Sequence, residues 1–210
     1  MQFNLAQLKL IIPQTDPAIL LRHLPHLNAA MQEFSINTKT RAEQFIAQMS
    51  HESGGFRYMA ELASGRAYEG RGDLGNTHMG DGVRFKGRSP VQITGRTNYT
   101  LCGAALGLDC VALPELLEQP SQGWRAAGWF WVQGAALNLS RAAKAHILAR
   151  YGDWEHISLN ILADHGDFDG ITLAINGGKN GYEERHKYLV RAIAALEPEL
   201  KPVCYPYLTY

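Results

Sequence analysis

Between residues 62 and 90 seven glycines, Gly65, Gly70, Gly72, Gly75, Gly80, Gly82 and Gly87, interrupt any helical or strand periodicity. A stretch of that length without a repeat is not a regular packed element, and a long loop inside a compact chain is as a rule functional. The rest of the chain must therefore build a frame that holds this loop region. Its 210 residues suffice for one sizeable core, or for one domain folded as two lobes around a cleft. The frame reads as helical. Residues 18–24 and 26–34 are predicted as two short helices broken by prolines, with Leu27, Ala30 and Met31 on one face. Thr40-Arg-Ala-Glu43 matches a capping box. Behind it Ala42, Phe45, Ile46 and Met49 form an apolar stripe that should end at Ser53-Gly54-Gly55. Further helices are expected over 124–132, 139–151, 154–162 and 183–196. A turn or helix capped by Asp167 should enter 171–175, a short strand or extended turn covers 91–94, and the tail 197–210 should be extended. The fold class is mainly α with a few short strands, one domain over 1–210 and no separate binding domain.

Composition excludes some functions. Twenty lysines and arginines balance twenty aspartates and glutamates, so no net field draws the chain to nucleic acid or an anionic membrane. No window is long and apolar enough to cross a bilayer, and the first residues lack a basic region followed by an apolar run, so no secretory signal is read. Cys102, Cys110 and Cys204 are odd in number and lack metal spacing, which fits reduced thiols from a cytoplasmic origin; a Cys102–Cys110 bridge is the minority reading. The histidines His51, His78, His156 and His165 form no zinc pattern. The run from His165 to Gly170 lacks the later bidentate glutamate of a calcium loop, leaving Asp167 as a helix cap. No metal or organic cofactor is implied.

Two glutamates stand out. Glu52 follows Met49 by three and Phe45 by seven, so it ends the apolar face of its helix. Loss of hydration there favours a protonated carboxyl, as a general acid needs; the plainer possibility is a helix-end glutamate paired with an arginine. Glu61 on a continuous helix would lie roughly 13 Å away on another face, but the Ser53-Gly54-Gly55 break lets the chain fold back toward Glu52. Inverting glycosidases hold two carboxyls roughly 6.5–9.5 Å apart with a water between them. The spacing permits that arrangement without requiring it.

The segment Phe45-Ile-Ala-Gln-Met-Ser-His-Glu-Ser-Gly-Gly55 resembles the first catalytic motif of the family 19 glycoside hydrolases, a group of lysozyme-like fold with chitinases and phage endolysins. Tyr68-Glu-Gly-Arg71, Asp73-Leu-Gly-Asn76 and Gly80-Asp-Gly82 are similar to the loop of the endolysin branch. The run from Phe85 to Tyr99 is similar to the second signature, and Ile171 to Gly178 with Asn180, Gly181 and Arg185 to the third. The resemblance spans about 40–196. It implies two helical lobes flanking a substrate cleft, Glu52 as general acid and Glu61 as general base. It further implies Gln92 and Thr94 at the nucleophilic water and the substrate, Asn98 and Asn176 at sugar hydroxyls or an N-acetyl arm, and Arg185 near the carboxylates, where it would favour an ionised Glu61. His51 would orient Glu52 or fill space. The implied partner is the glycan strand of peptidoglycan, cut by a lysozyme-like monomer that is made in the cytoplasm and reaches the wall through a holin or a secretion machine. Chitin hydrolysis and an inactive glycan-binding module remain the alternatives. Ser89 stands where the family usually has glycine. The stretch 137–160 looks inserted, its role being a groove extension, a partner contact or packing. Trp124, Trp129 and Trp131, at helical spacing, are expected in the core rather than against sugar.

Overall fold

Several helices of the frame begin where a short polar side chain satisfies one of the first free N–H groups. The computed structural model describes residues 1–197. Helix α1 (Leu5–Ile11) opens on a reciprocal box in which Asn4 and Gln7 cap each other's backbone N–H. Helix α2 (Pro17–Glu33) starts at Asp16, whose carboxylate accepts from Ala18 N, and α3 (Lys39–Glu52) at Thr38. A short α4 (Asp81–Arg84) sits in the glycine-rich region; α5 (Arg96–Leu106) and α6 (Pro120–Trp129) follow. The latter runs into a π-helical turn (Phe130–Gly134) and a last short turn, α7 (Ala135–Leu137). The chain continues through α8 (Arg141–Tyr151), α9 (Leu159–Asp164), α10 (Phe168–Asn176) and α11 (Tyr182–Leu196).

Three sequence expectations shift, and one open alternative is decided. The two helices around Pro25 are one. A mid-helix proline removes one backbone hydrogen bond, yet Leu20, His23, Leu27, Ala30 and Met31 are buried along a face packed on α6, which holds the helix continuous. The cap of α3 is Thr38 rather than Thr40: its Oγ1 accepts from Arg41 N at 3.2 Å, while Glu43 instead pairs with Lys39 at 3.5 Å. The 154–162 helix begins only at Leu159, where Ser158 caps it; Trp154 instead carries the Lys144 ammonium over its ring at 3.9 Å. Of the two readings for 91–94, strand or turn, the structure takes the turn. Gln92 has φ +58, which no strand tolerates, and only isolated bridges, Ala60 to Arg88 and Arg88 to Ile93, mark extended pairing among the described residues. Asp167 does cap α10, accepting from Gly170 N. Cys102 and Cys110 are free and buried. The expected tail lies, beyond Glu197, outside the described residues.

The central helix is α3, buried at every position from Ala42 to Ser50, with α11 as its most extensive neighbour and α9 beside it. Around Phe45 the aromatic rings interlock. Trp131 meets it edge-on at 5.2 Å, and Phe56 meets Trp124 at 4.9 Å. The tryptophans Trp124, Trp129 and Trp131 are core residues, as expected, and two have their indole N–H satisfied inside: Trp124 by His23 Nδ1 at 3.0 Å, Trp131 by Asn160 Oδ1 at 2.9 Å.

His23 gives this core a pH dependence. Burial, with Arg22 nearby, lowers its pKa to about 4, against 6.5 in an unfolded chain. The unfolded state therefore binds a proton that the folded state refuses, and stability present above about pH 6.5 drains away toward pH 4. The expected loss is at most about 3 kcal/mol. Urea unfolding at pH 7 and pH 4 measures it; in His23→Gln the loss over this window should shrink.

Candidate functional site

At the end of α3 the chain reverses within four residues. Ser53 Oγ donates to Met49 O at 2.6 Å and accepts from Phe56 N at 2.9 Å. Gly54, Gly55 and Phe56 then all take positive φ. Gly55 has no alternative, since a Cβ there would lie 2.5 Å from Thr15 Oγ1. This reversal leaves Glu52 as the final helical residue, and the chain returns toward Glu61.

Glu52 is not alone. Arg185 Nη2 lies 2.5 Å from its Oε1, without the alignment of a hydrogen bond. Arg185 is fully buried in α11 and held by two further contacts: Nη1 donates to Gln48 Oε1 at 2.7 Å, and Nε to Asn180 O at 3.2 Å. Gln48 in turn donates to Thr172 Oγ1 at 3.0 Å, which ties the pair to α10. The expected support of Glu61 by Arg185 is thus corrected: the guanidinium serves Glu52, because α11 packs on α3 and carries Arg185 to the end of that helix. The plainer reading of Glu52, an arginine partner at a helix end, describes its resting state. His51 is turned to the same helix, its Nδ1 2.7 Å from Glu184 Oε2, with its ring over Gly181, where any Cβ would clash.

Glu61 is held from three sides. Its N–H donates to Gly87 O at 2.9 Å, its carbonyl accepts from Lys86 Nζ at 3.1 Å, and Tyr68 Oη donates to Oε2 at 2.9 Å. Burial and then Glu61 push the Tyr68 phenol upward in pKa, so it remains a donor at any working pH. The other carboxylate oxygen, Oε1, is buried and has no partner among the described residues. The loop that delivers Tyr68 is stitched by polar contacts: Glu69 accepts from Gly80 N and Gly82 N, Asn76 bonds Tyr68 O and Arg96 N, and buried Asp81 pairs with Arg96.

Gly87 links Glu61 to the turn. A Cβ on it would lie 2.7 Å from Gln92 Oε1 and 3.3 Å from Thr94 Oγ1, so those side chains lie against the residue that holds Glu61. Ser89 carries φ +69 at full burial, which is why a glycine would suit that position. Gln92, Thr94 and Asn98 line one cavity with Phe130, Asn138, Ala174 and Ile175, among others. Asn176, exposed at the end of α10, is the next residue along. Neither glutamate lines this cavity, and no hydrogen bond or ion pair joins Glu52 to Glu61. The structure therefore forms two clusters: Glu52 with Arg185, Gln48 and Thr172, and Glu61 with Tyr68, Gly87, Gln92 and Thr94. Helix α10 touches both, through Thr172 and through Ala174 and Ile175. Sequence reasoning assigned no role to Gln48, Tyr68 or Asn138. Tyr68 was visible as part of a motif, and Gln48 as a polar residue on a buried helix.

The sequence profile of the family 19 glycoside hydrolases, described as chitinase class I, matches residues 29–190. The chain belongs to glycoside hydrolase family 19. An Arabidopsis thaliana endochitinase is 31% identical over 119 residues, covering 55% of this chain and 45% of that protein. A Haemophilus influenzae protein carrying a family 19 domain is 25% identical over 198 residues, 80% of this chain and 85% of that one. The family 19 chain thus spans less than half the length of the plant endochitinases it matches. Among solved structures, a bacterial family 19 chitinase superposes with a TM-score of 0.71 at 21% identity over 93% of this chain and 95% of that one. Chitinase C of Streptomyces griseus gives 0.67 at 21% identity over 91% and 75%. These superpositions show that the fold is that of the family 19 enzymes.

Proposed function

We propose that this family 19 chain hydrolyses β-1,4 glycosidic bonds of an N-acetylated amino-sugar polymer, peptidoglycan in preference to chitin, by single displacement with inversion. Glu52 gives its proton to the glycosidic oxygen as the bond from that oxygen to C1 breaks. Glu61 takes a proton from a water whose oxygen bonds to C1 from the opposite face. The observation that carries this reading is Glu61 itself, with one oxygen fixed by Tyr68 and the other buried and unpartnered. Gln92, Thr94, Asn98 and Asn176 bind the sugar or position the water.

Family membership supports the hydrolase class. Peptidoglycan as substrate rests on the loop motifs Tyr68–Arg71 and Asp73–Asn76, which are similar to the endolysin branch. On this reading the enzyme is made in the cytoplasm and reaches the wall through a holin or a secretion machine. Chitin is the rival substrate, favoured by the names of the plant relatives. Mass spectrometry of digested wall sacculi, run beside chitin oligomers, separates the two: muropeptide fragments support the proposal, and cleavage of chitin alone replaces it. Glycan binding with no reducing ends released would leave a binding module. Tyr68→Phe should lower kcat about tenfold, the loss of one hydrogen bond to a charged acceptor, with KM little changed. An unchanged kcat would remove Tyr68 from the positioning of Glu61.

A further inference from the structure

The cavity beside Gln92 and Thr94 has a volume of about 190 Å³ and a two-sided chemistry. Leu74, Val91, Ile93, Phe130, Ala174 and Ile175 give it an apolar side, matched by an equal polar side that carries a row of amides and one hydroxyl. The hydrogen bonds along that row follow from one fixed acceptor. Thr94 O can only accept, so Asn98 turns its Nδ2 toward it at 2.8 Å. That leaves Asn98 Oδ1 facing Asn138, which must offer Nδ2 and does so at 2.9 Å. Asn98 thus has its oxygen and one N–H engaged. Asn138 has its oxygen free: Oδ1 accepts no hydrogen bond among the described residues, on a side chain exposed to solvent.

Local geometry explains how Asn138 arrives there. The π-helical turn Phe130–Gly134 inserts a wider turn into the helix that began at Pro120, and such turns recur at functional sites. Phe130 thereby joins the cavity wall, and Asn138, the residue that ends α7, follows at the rim. It is the first polar residue of the stretch that reads as inserted.

We propose that Asn138 is a specificity-determining residue, reading the acetamido arm of an N-acetylated sugar in this cavity. This rests on the glycan-hydrolase reading of the same site. The acetamido N–H donates to Asn138 Oδ1, and the acetyl methyl packs on the apolar wall. An amine or ammonium in place of the acetamide leaves that wall unfilled and sets a cation against it. A site that hydrogen-bonds one substituent rejects the analogue lacking it more strongly than shape alone does.

The probes are the hexamer of β-1,4-linked N-acetylglucosamine and its fully de-N-acetylated counterpart, titrated calorimetrically into the full chain in a Glu52→Gln background to prevent turnover. Asn138→Leu and Asn138→Ala should each weaken the acetylated hexamer about tenfold and leave affinity for the other nearly unchanged. Thermal melts confirm that both variants are folded, as an exposed side chain allows. Equal weakening of both hexamers, no weakening of either, or no binding by the Asn138-containing protein would each overturn the proposal. Failure of the hydrolase reading shows separately, as no reducing ends released by the unaltered chain from sacculi or chitin.

Discussion

Glu52→Gln should lower hydrolysis by roughly three orders of magnitude while the protein stays folded. The amide keeps the shape and an acceptor oxygen for Arg185 Nη2 but has no proton to give the leaving oxygen, and general acid catalysis supplies about 10²–10⁴ of rate. The charge partner of a fully buried guanidinium also disappears. A modest loss of stability, on the order of 1–3 kcal/mol, should therefore accompany the loss of rate. Initial rates on sacculi, with a thermal melt of the same sample, separate the two effects. Glu61→Gln should lose comparable activity with a smaller change in stability, because its Oε1 has no protein partner to lose. Retained turnover in Glu52→Gln would remove it from the chemistry.

The largest stability effect should come from the other half of the pair. Arg185→Met takes the cation from beside the Glu52 carboxyl and the donor from Gln48 Oε1 and Asn180 O. Removing one partner of a buried ion pair costs about 3–5 kcal/mol, because the remaining charge stays desolvated. Helices α3 and α11 should loosen together, since Arg185 bridges them. Combining Arg185→Met with Glu52→Gln should recover part of the loss, because the double variant buries no lone charge; the difference from additivity measures the coupling. Urea unfolding of the four proteins tests this. A cost under about 1 kcal/mol for Arg185→Met would mean that the pair is not the clamp of this end of the helix bundle.

What the residues alone disclosed, and what they did not, follows from the range of the forces involved. The stripe Ala42, Phe45, Ile46 and Met49 announced α3, and Ser53-Gly54-Gly55 its end, because both depend on neighbours within a turn. The glycine-rich 62–90 region was legible as loop for the same reason. Thr38 was missed as the cap because Thr40 offered a better local motif, while the true helix start is decided by how α3 sits on its neighbours. The continuity of α2 through Pro25 likewise comes from a buried face against α6 that no local rule contains. In the site, Glu52 and Glu61 stood out through a motif, but the partner of Arg185 depends on α11 packing against α3, 133 residues away in sequence. For Gln92 and Thr94 the sequence left strand and turn open; the positive φ of Gln92, between the bridged residues Arg88 and Ile93, is the turn. Asn138 carried no sequence signal beyond lying in an inserted stretch.

The two-carboxylate account makes a stereochemical claim that one spectrum can test. Proton NMR of the products in the first minutes of digestion, before mutarotation, shows which anomer is born at the new reducing end. Single displacement, with Glu61 holding the water opposite the leaving oxygen, requires the α anomer from a β-linked glycan. The β anomer appearing first would mean a double displacement, and Glu61 would no longer be the base for an attacking water.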